Sequence, residues 1–146
     1  MSKDFGDLLF RLLFSLIFLA LGSEHILSDD LIQHLMPAWI PMPKVVSILV
    51  GMVLCVGGIC IVLGWRLRFA AVLLGSFVIV VTLAVHVPAI LINPEFVTDS
   101  NQWMWDILQR SNLAKNVCLL GVCVLLWHYV PGRWSLEKRL RDSLKN

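Results

Sequence analysis

Five polar residues sit near the ends of otherwise apolar stretches, and their types could do chemistry together: Glu24, His25, His86, Lys115 and Asn116. A neutral imidazole donates one hydrogen bond and accepts another. An ammonium group beside two imidazoles favours an anionic or reduced ligand. An amide and a carboxylate add further donor and acceptor positions. The set suits a small amphipathic molecule such as a quinone, with His25 and His86 hydrogen-bonding its carbonyl oxygens. Trp103 or Trp105 is the candidate lid. Each residue also has a plainer role. Glu24 and Lys115 could form an interfacial ion pair, His25 could be a solvated end residue, and His86 could be a structural hydrogen-bonding group. Two His residues from different helices could also hold haem or a metal, but no H-x3-H or comparable spacing supports that. Arg11 and Arg68 form a second polar end and read as headgroup anchors rather than as a site. His34 and His128 read as interfacial. No phosphate loop, nucleophile elbow or other local catalytic signature is present.

The elements that must position these residues are membrane spans. The chain has 146 residues, of which 58% are hydrophobic and 15% charged, with a mean hydropathy of +0.82. A soluble domain carries about 25% charged residues, and one of this size could not hide so much apolar surface. The composition predicts an all-α integral membrane protein. The net charge of +2 gives no sign of nucleic-acid binding.

Four spans are expected, over 8–27, 44–64, 69–92 and 113–130, in a single membrane domain covering 1–146 with a basic tail over 133–146. In the first span Arg11, Ser15, Phe18, Gly22 and His25 share one helical face. The ends of that stripe lie about 21 Å apart, most of the way across a hydrocarbon core of about 30 Å. In the second span Ser47, Gly51, Cys55, Gly58 and Val62 form a stripe of mostly small residues, which lets helices approach closely. The third carries Arg68, Ala71, Gly75, Val78, Thr82 and His86 on one seam. The short 65–68 turn makes the second and third spans an antiparallel hairpin. Ser28, with Asp29 and Asp30, reads as a helix cap ahead of a short amphipathic turn over 31–36. Pro37, Pro41 and Pro43 then break the chain, with Trp39 at the interface. Asp99 or Ser100 caps an interfacial helix carrying Trp103, Trp105 and Ile107 before the last span. The tail reads as an amphipathic helix held near anionic lipid.

The N-terminal run resembles a signal peptide around Ala20–Gly22, but Asp4 and Asp7 dilute its basic lead. It is expected to be retained as a span. Cys55 and Cys60, like Cys118 and Cys123, are five residues apart. On a helix this separates them by about 140° and 8 Å, so neither pair should close a disulfide; they read as packing residues. The Lys and Arg residues divide nine to three between the two sides. Lys3, Arg11, Arg66, Arg68, Arg133, Lys138, Arg139, Arg141 and Lys145 lie on the side of the termini. Lys44, Arg110 and Lys115 lie on the other. Both termini are therefore expected in the cytoplasm, with the His-containing pocket opening outward. An Arg…His pattern in the first and third spans, and Cys-x4-Cys in the second and fourth, form a faint internal echo of a duplicated hairpin.

Arg11 with Phe14, Gly22-x-x-His25 and the Pro-rich connection resemble, in order and spacing, the start of a DoxX-like protein. Leu63-Gly64-Trp65-Arg66 before Ala70-Ala71, and Asn112-x-x-Lys115-Asn116 opening the last span, are similar as well. The resemblance implies a four-helix bundle in a bacterial inner membrane. The family takes its name from a subunit of a thiosulfate–quinone oxidoreductase. Its relatives accompany membrane redox complexes, metal- or thiol-stress systems, and in eukaryotes receptor assembly or cargo export. The family's recurring polar positions fall here on Arg11, His25, Lys115 and Asn116; His86 is not carried over. No acidic residue stands in the middle of the second span, where relatives can carry one, so a proton-coupled reaction through such a group is not expected. The expected function is a subunit or accessory of a membrane redox system, binding a quinone or similar molecule beside a redox partner subunit. Two other classes stay open: a non-catalytic assembly or chaperone protein, and a small transporter component that would need to homo-oligomerise.

Overall fold

The computed structural model describes residues 2–27, 36–37, 39–94 and 97–144. The expected cap at Ser28 with Asp29 and Asp30, His34, and most of the 31–36 turn lie outside the described residues. The four apolar runs form helices that are each long and apolar enough to cross a membrane: α1 (Lys3–Leu27), α2 (Pro43–Leu63), α3 (Leu67–Leu91) and α4 (Gln102–His128). A short polar helix, α5 (Leu136–Ser143), follows. No strand occurs among the described residues.

The boundaries follow from local chemistry. α1 begins five residues earlier than expected, because Asp4 suits a helical first turn and Asp7 is held within the fold. α2 stops at Gly64, which takes a left-handed conformation (φ 60°). The Gly64 N–H donates to Ile61 O and the Trp65 N–H to Cys60 O, a Schellman-type ending that frees the chain to restart at Leu67. This produces the expected tight hairpin.

α3 is not uniform. Residues Thr82–His86 form a π-helical turn, in which the Val87 N–H reaches back to Thr82 O. The cause lies one turn on, at Pro88. Proline has no N–H to give Ala84 O, and its ring crowds that carbonyl. The helix widens there rather than breaking. Hydropathy and periodicity alone predict a plain helix over this stretch.

The fourth span differs more. The interfacial helix and the span expected over 113–130 are one continuous helix of 27 residues. No proline lies between Gln102 and His128 to part them. Asn101 is the residue at its start, in place of Asp99 or Ser100. Its Oδ1 accepts from the Thr98 N–H at 2.7 Å.

Packing runs from α1 to α2, α2 to α3 and α3 to α4. The core is Phe18, Leu54, Ile61, Ala70, Leu74 and Leu126 with their neighbours. Phe10 reaches Tyr129 just beyond α4, with ring centroids 5.5 Å apart. On the outside, Leu13, Leu16, Val80 and Leu125 are each about 60% exposed or more, the surface a lipid solvent requires. All four cysteines are free.

Candidate functional site

Polar side chains collect at both ends of the bundle. At the end remote from the termini, His25 closes the α1 stripe. Its Nδ1 lies 3.0 Å from Ser47 Oγ on α2. That hydroxyl gives its single proton to the His25 carbonyl at 2.9 Å, so towards the imidazole it can only accept. His25 therefore carries its proton on Nδ1 and keeps the Nε2 lone pair for another donor.

His86 is held by the same logic on the other hairpin. Its Nδ1 lies 2.9 Å from Gln109 Oε1 on α4. An amide oxygen only accepts, so Nδ1 is the donor and Nε2 is again an acceptor. Asn116 Nδ2 donates to Thr82 Oγ1 at 2.9 Å, and Thr82 donates to Val78 O at 2.6 Å. Gln109 and Asn116 are 5% and 4% exposed, so these bonds are made inside the α3–α4 contact. The two α3 residues that make these contacts, Thr82 and His86, both belong to the π turn.

The structure thus places His86 and Asn116 on one helix pair and His25 on the other. No hydrogen bond joins the two groups among the described residues. Lys115 Nζ donates to Asn112 Oδ1 at 3.0 Å rather than to Glu24, which is exposed. Trp103 is 64% exposed on the first turn of α4. Trp105 instead ties α4 to α3, donating to Ala89 O at 3.0 Å. Among the described residues no three His, Cys, Asp or Glu side chains converge as a metal site would need.

At the terminal end Arg11 is 0% exposed, and it is no headgroup anchor. Its Nε and Nη2 donate to Asp7 Oδ2 at 3.1 and 3.0 Å. Nη1 donates to Val62 O and Nη2 also to Trp134 O. Asp7 Oδ1 accepts from Tyr129 Oη at 2.7 Å. One guanidinium thus joins α1, the end of α2 and the chain after α4. Arg68, paired with Arg11 in the sequence reading, is exposed at the start of α3.

With this geometry in view, comparison with known families is decisive. The DoxX family model matches residues 6–87. The chain belongs to the DoxX family. No match was found among curated proteins or among solved structures.

The matched stretch of this DoxX protein runs from just before Asp7 to just past the His86 turn. It contains Arg11, His25 and Ser47. Gln109, Lys115 and Asn116 lie beyond it, although the motif resemblance had extended to the last span. Three partners escaped the sequence reading, and each had a signal. Asp7 stands four residues before Arg11, the spacing of an ion pair on one helix face. Gln109 stands one heptad before Asn116, which is one heptad before the buried Cys123. Tyr129 is the chain's single tyrosine.

Tyr129 offers a direct test of the terminal network. Its phenol is pushed up to about 12, first by burial, then by the hydrogen bond and charge of Asp7, with Arg11 pulling the other way. Folding thus favours the protonated phenol. The resulting stabilisation is full below the ordinary tyrosine value of about 10 and is lost as pH rises through about 12. With one tyrosine present, phenolate absorbance in an alkaline titration reads this group alone. Its midpoint should fall back towards 10 in Asp7→Asn; an unchanged midpoint would contradict the contact.

Proposed function

We propose that this DoxX protein is the membrane component of a redox system and holds a quinone-like amphipathic molecule at the end remote from its termini. One observation carries the reading. His86 has its Nδ1–H committed to Gln109, leaving Nε2 as an acceptor five residues, about 7.5 Å, short of the helix end. Ionisable groups at such depth face an interior or a wet cavity rather than lipid. An Nε2 so placed suits the hydroxyl of a quinol. It can take one of the two protons that a quinol gives up on oxidation, the other passing to His25 or to water, while the two electrons pass to a redox partner subunit. Lys115, on the neighbouring helix, would favour the anionic form, and Asn116 follows it on the same helix as a further candidate contact. His25, with the same free Nε2, is the second candidate contact, and Glu24 and Trp103 lie at the rim.

The test is quinone retention. Purified protein should carry a quinone detectable by mass spectrometry of its lipid extract. The acceptor Nε2 can bond only the hydroxyl of the reduced form, so loss of that hydrogen bond in His86→Ala should weaken quinol binding about tenfold, without loss of membrane insertion. A quinone-free wild-type protein would favour the assembly role instead.

Membership of the DoxX family supports an inner-membrane location, and the distribution of basic residues supports both termini in the cytoplasm. Burial of Arg11 against Asp7 removes one charge from the count of nine to three without changing its direction. A C-terminal reporter active only outside the cytoplasm should be silent. A signal from it would reverse the topology.

A further inference from the structure

The groove between the α2–α3 turn and α5 takes no part in the reading above. It encloses about 550 Å³. Three arginines line it, Arg66 and Arg68 from the turn and Arg141 from α5, against one carboxylate, Glu137. Glu137 is already engaged by Arg141 at 3.2 Å, which leaves Arg66 and Arg68 as the uncompensated charge. Arg66 sits in a left-handed conformation (φ 48°) that residues with side chains seldom adopt, and its guanidinium lies over Trp65 at 5.3 Å. α5 is pinned across the turn: the Glu137 N–H donates to Gly64 O at 3.3 Å, and Arg11 holds Trp134 O. The basic residues are therefore presented on a built surface and not on a loose tail.

The position selects the occupant. Leu67 opens α3 and Val130 closely follows α4, and both line the same groove. The groove thus lies where two spans leave the hydrocarbon, at the level of lipid phosphates. Its apolar side, with Leu140, continues towards lipid. Guanidinium groups match phosphate oxygens in geometry as well as charge.

We propose that this groove binds one anionic phospholipid, its phosphate between Arg66 and Arg68 and its upper acyl region along the apolar wall. The site is independent of the redox reading. Native mass spectrometry of the full chain in neutral detergent tests it. Added phosphatidylglycerol should be retained and phosphatidylcholine should not. Each arginine near the surface is worth about fivefold, so Arg66→Asn with Arg68→Gln should weaken retention about 25-fold. Asn tolerates the left-handed backbone, and Arg139→Gln, outside the groove, should change nothing. If Arg66→Asn fails to fold, Arg68→Gln alone should weaken retention about fivefold. Equal retention of phosphatidylcholine, or undiminished binding in the double variant, would overturn the proposal. So would displacement of the lipid by equimolar inorganic phosphate, which would mark a free-anion site.

Discussion

Arg11→Met should be among the most destabilising single changes in this protein, at about 3–5 kcal/mol. The reason is the group left behind. Asp7 is 6% exposed, and without the guanidinium its carboxylate keeps only the Tyr129 hydroxyl. Two carbonyls, Val62 O and Trp134 O, also lose a charged donor. An uncompensated buried charge costs far more than the surviving contacts return. Arg11→Lys should recover only part of the loss, because one ammonium cannot reach partners on three segments as a planar fork does. Asp7→Asn placed in the Arg11→Met background should restore stability, since it removes the stranded charge. Denaturant unfolding in detergent reads all three. If Arg11→Met unfolds with the wild type, or if the second change adds to the damage, the network is not what holds this end together.

Gly51→Leu should be the most damaging change in the apolar part of the bundle. A Cβ at Gly51 would lie 2.8 Å from the backbone oxygen of Gly22 and 2.6 Å from Ile26 Cγ1. Backbone cannot step aside as a side chain can, so α1 and α2 must separate. Overpacking of this kind costs about 1–3 kcal/mol, and here it would also strain the nearby His25–Ser47 bond. Gly58 is the milder site, although its place in the small-residue stripe is equivalent. Its added Cβ would meet the end of the Leu19 side chain at 2.8 Å, and a Leu terminus can rotate. Gly121 has nothing within 4 Å. Gly121→Ala should be neutral or stabilising by up to about 1 kcal/mol, since Ala is the better helix former. Thermal unfolding of Gly51→Ala, Gly58→Ala and Gly121→Ala should therefore rank in that order. Equal midpoints would show that the helices are not in the contact described.

Much of the architecture can be read without coordinates. Hydropathy marks four spans because no other arrangement hides so much apolar surface. The stripe from Arg11 to His25 is the buried face of α1, since a helix turns its polar and small residues away from lipid. The spacing of Ser47, Gly51 and Gly58 marks the close contact for the same reason. These are properties of one helix at a time, set by a period of 3.6 residues. The merging of the interfacial helix with the last span was less visible, because polar residues between Gln102 and Asn112 look like a loop in hydropathy while remaining good helix formers. The π turn at Thr82–His86 was legible only through Pro88.

What the sequence determined alone was the class of protein, its four spans, the buried face of α1 and the close-packing stripe of α2. The tertiary structure decided which faces meet and therefore what each polar residue does. His25 and His86 look alike in sequence, yet they bond to Ser47 on one hairpin and Gln109 on the other. Arg11 and Arg68 look like matching anchors, yet one is sealed against Asp7 and the other is exposed. A residue's period fixes its direction from its own helix axis. Whether it finds water, lipid, a carboxylate or a carbonyl depends on how distant segments pack, and Val62, Trp134 and Tyr129 reach Arg11 and Asp7 only through that packing.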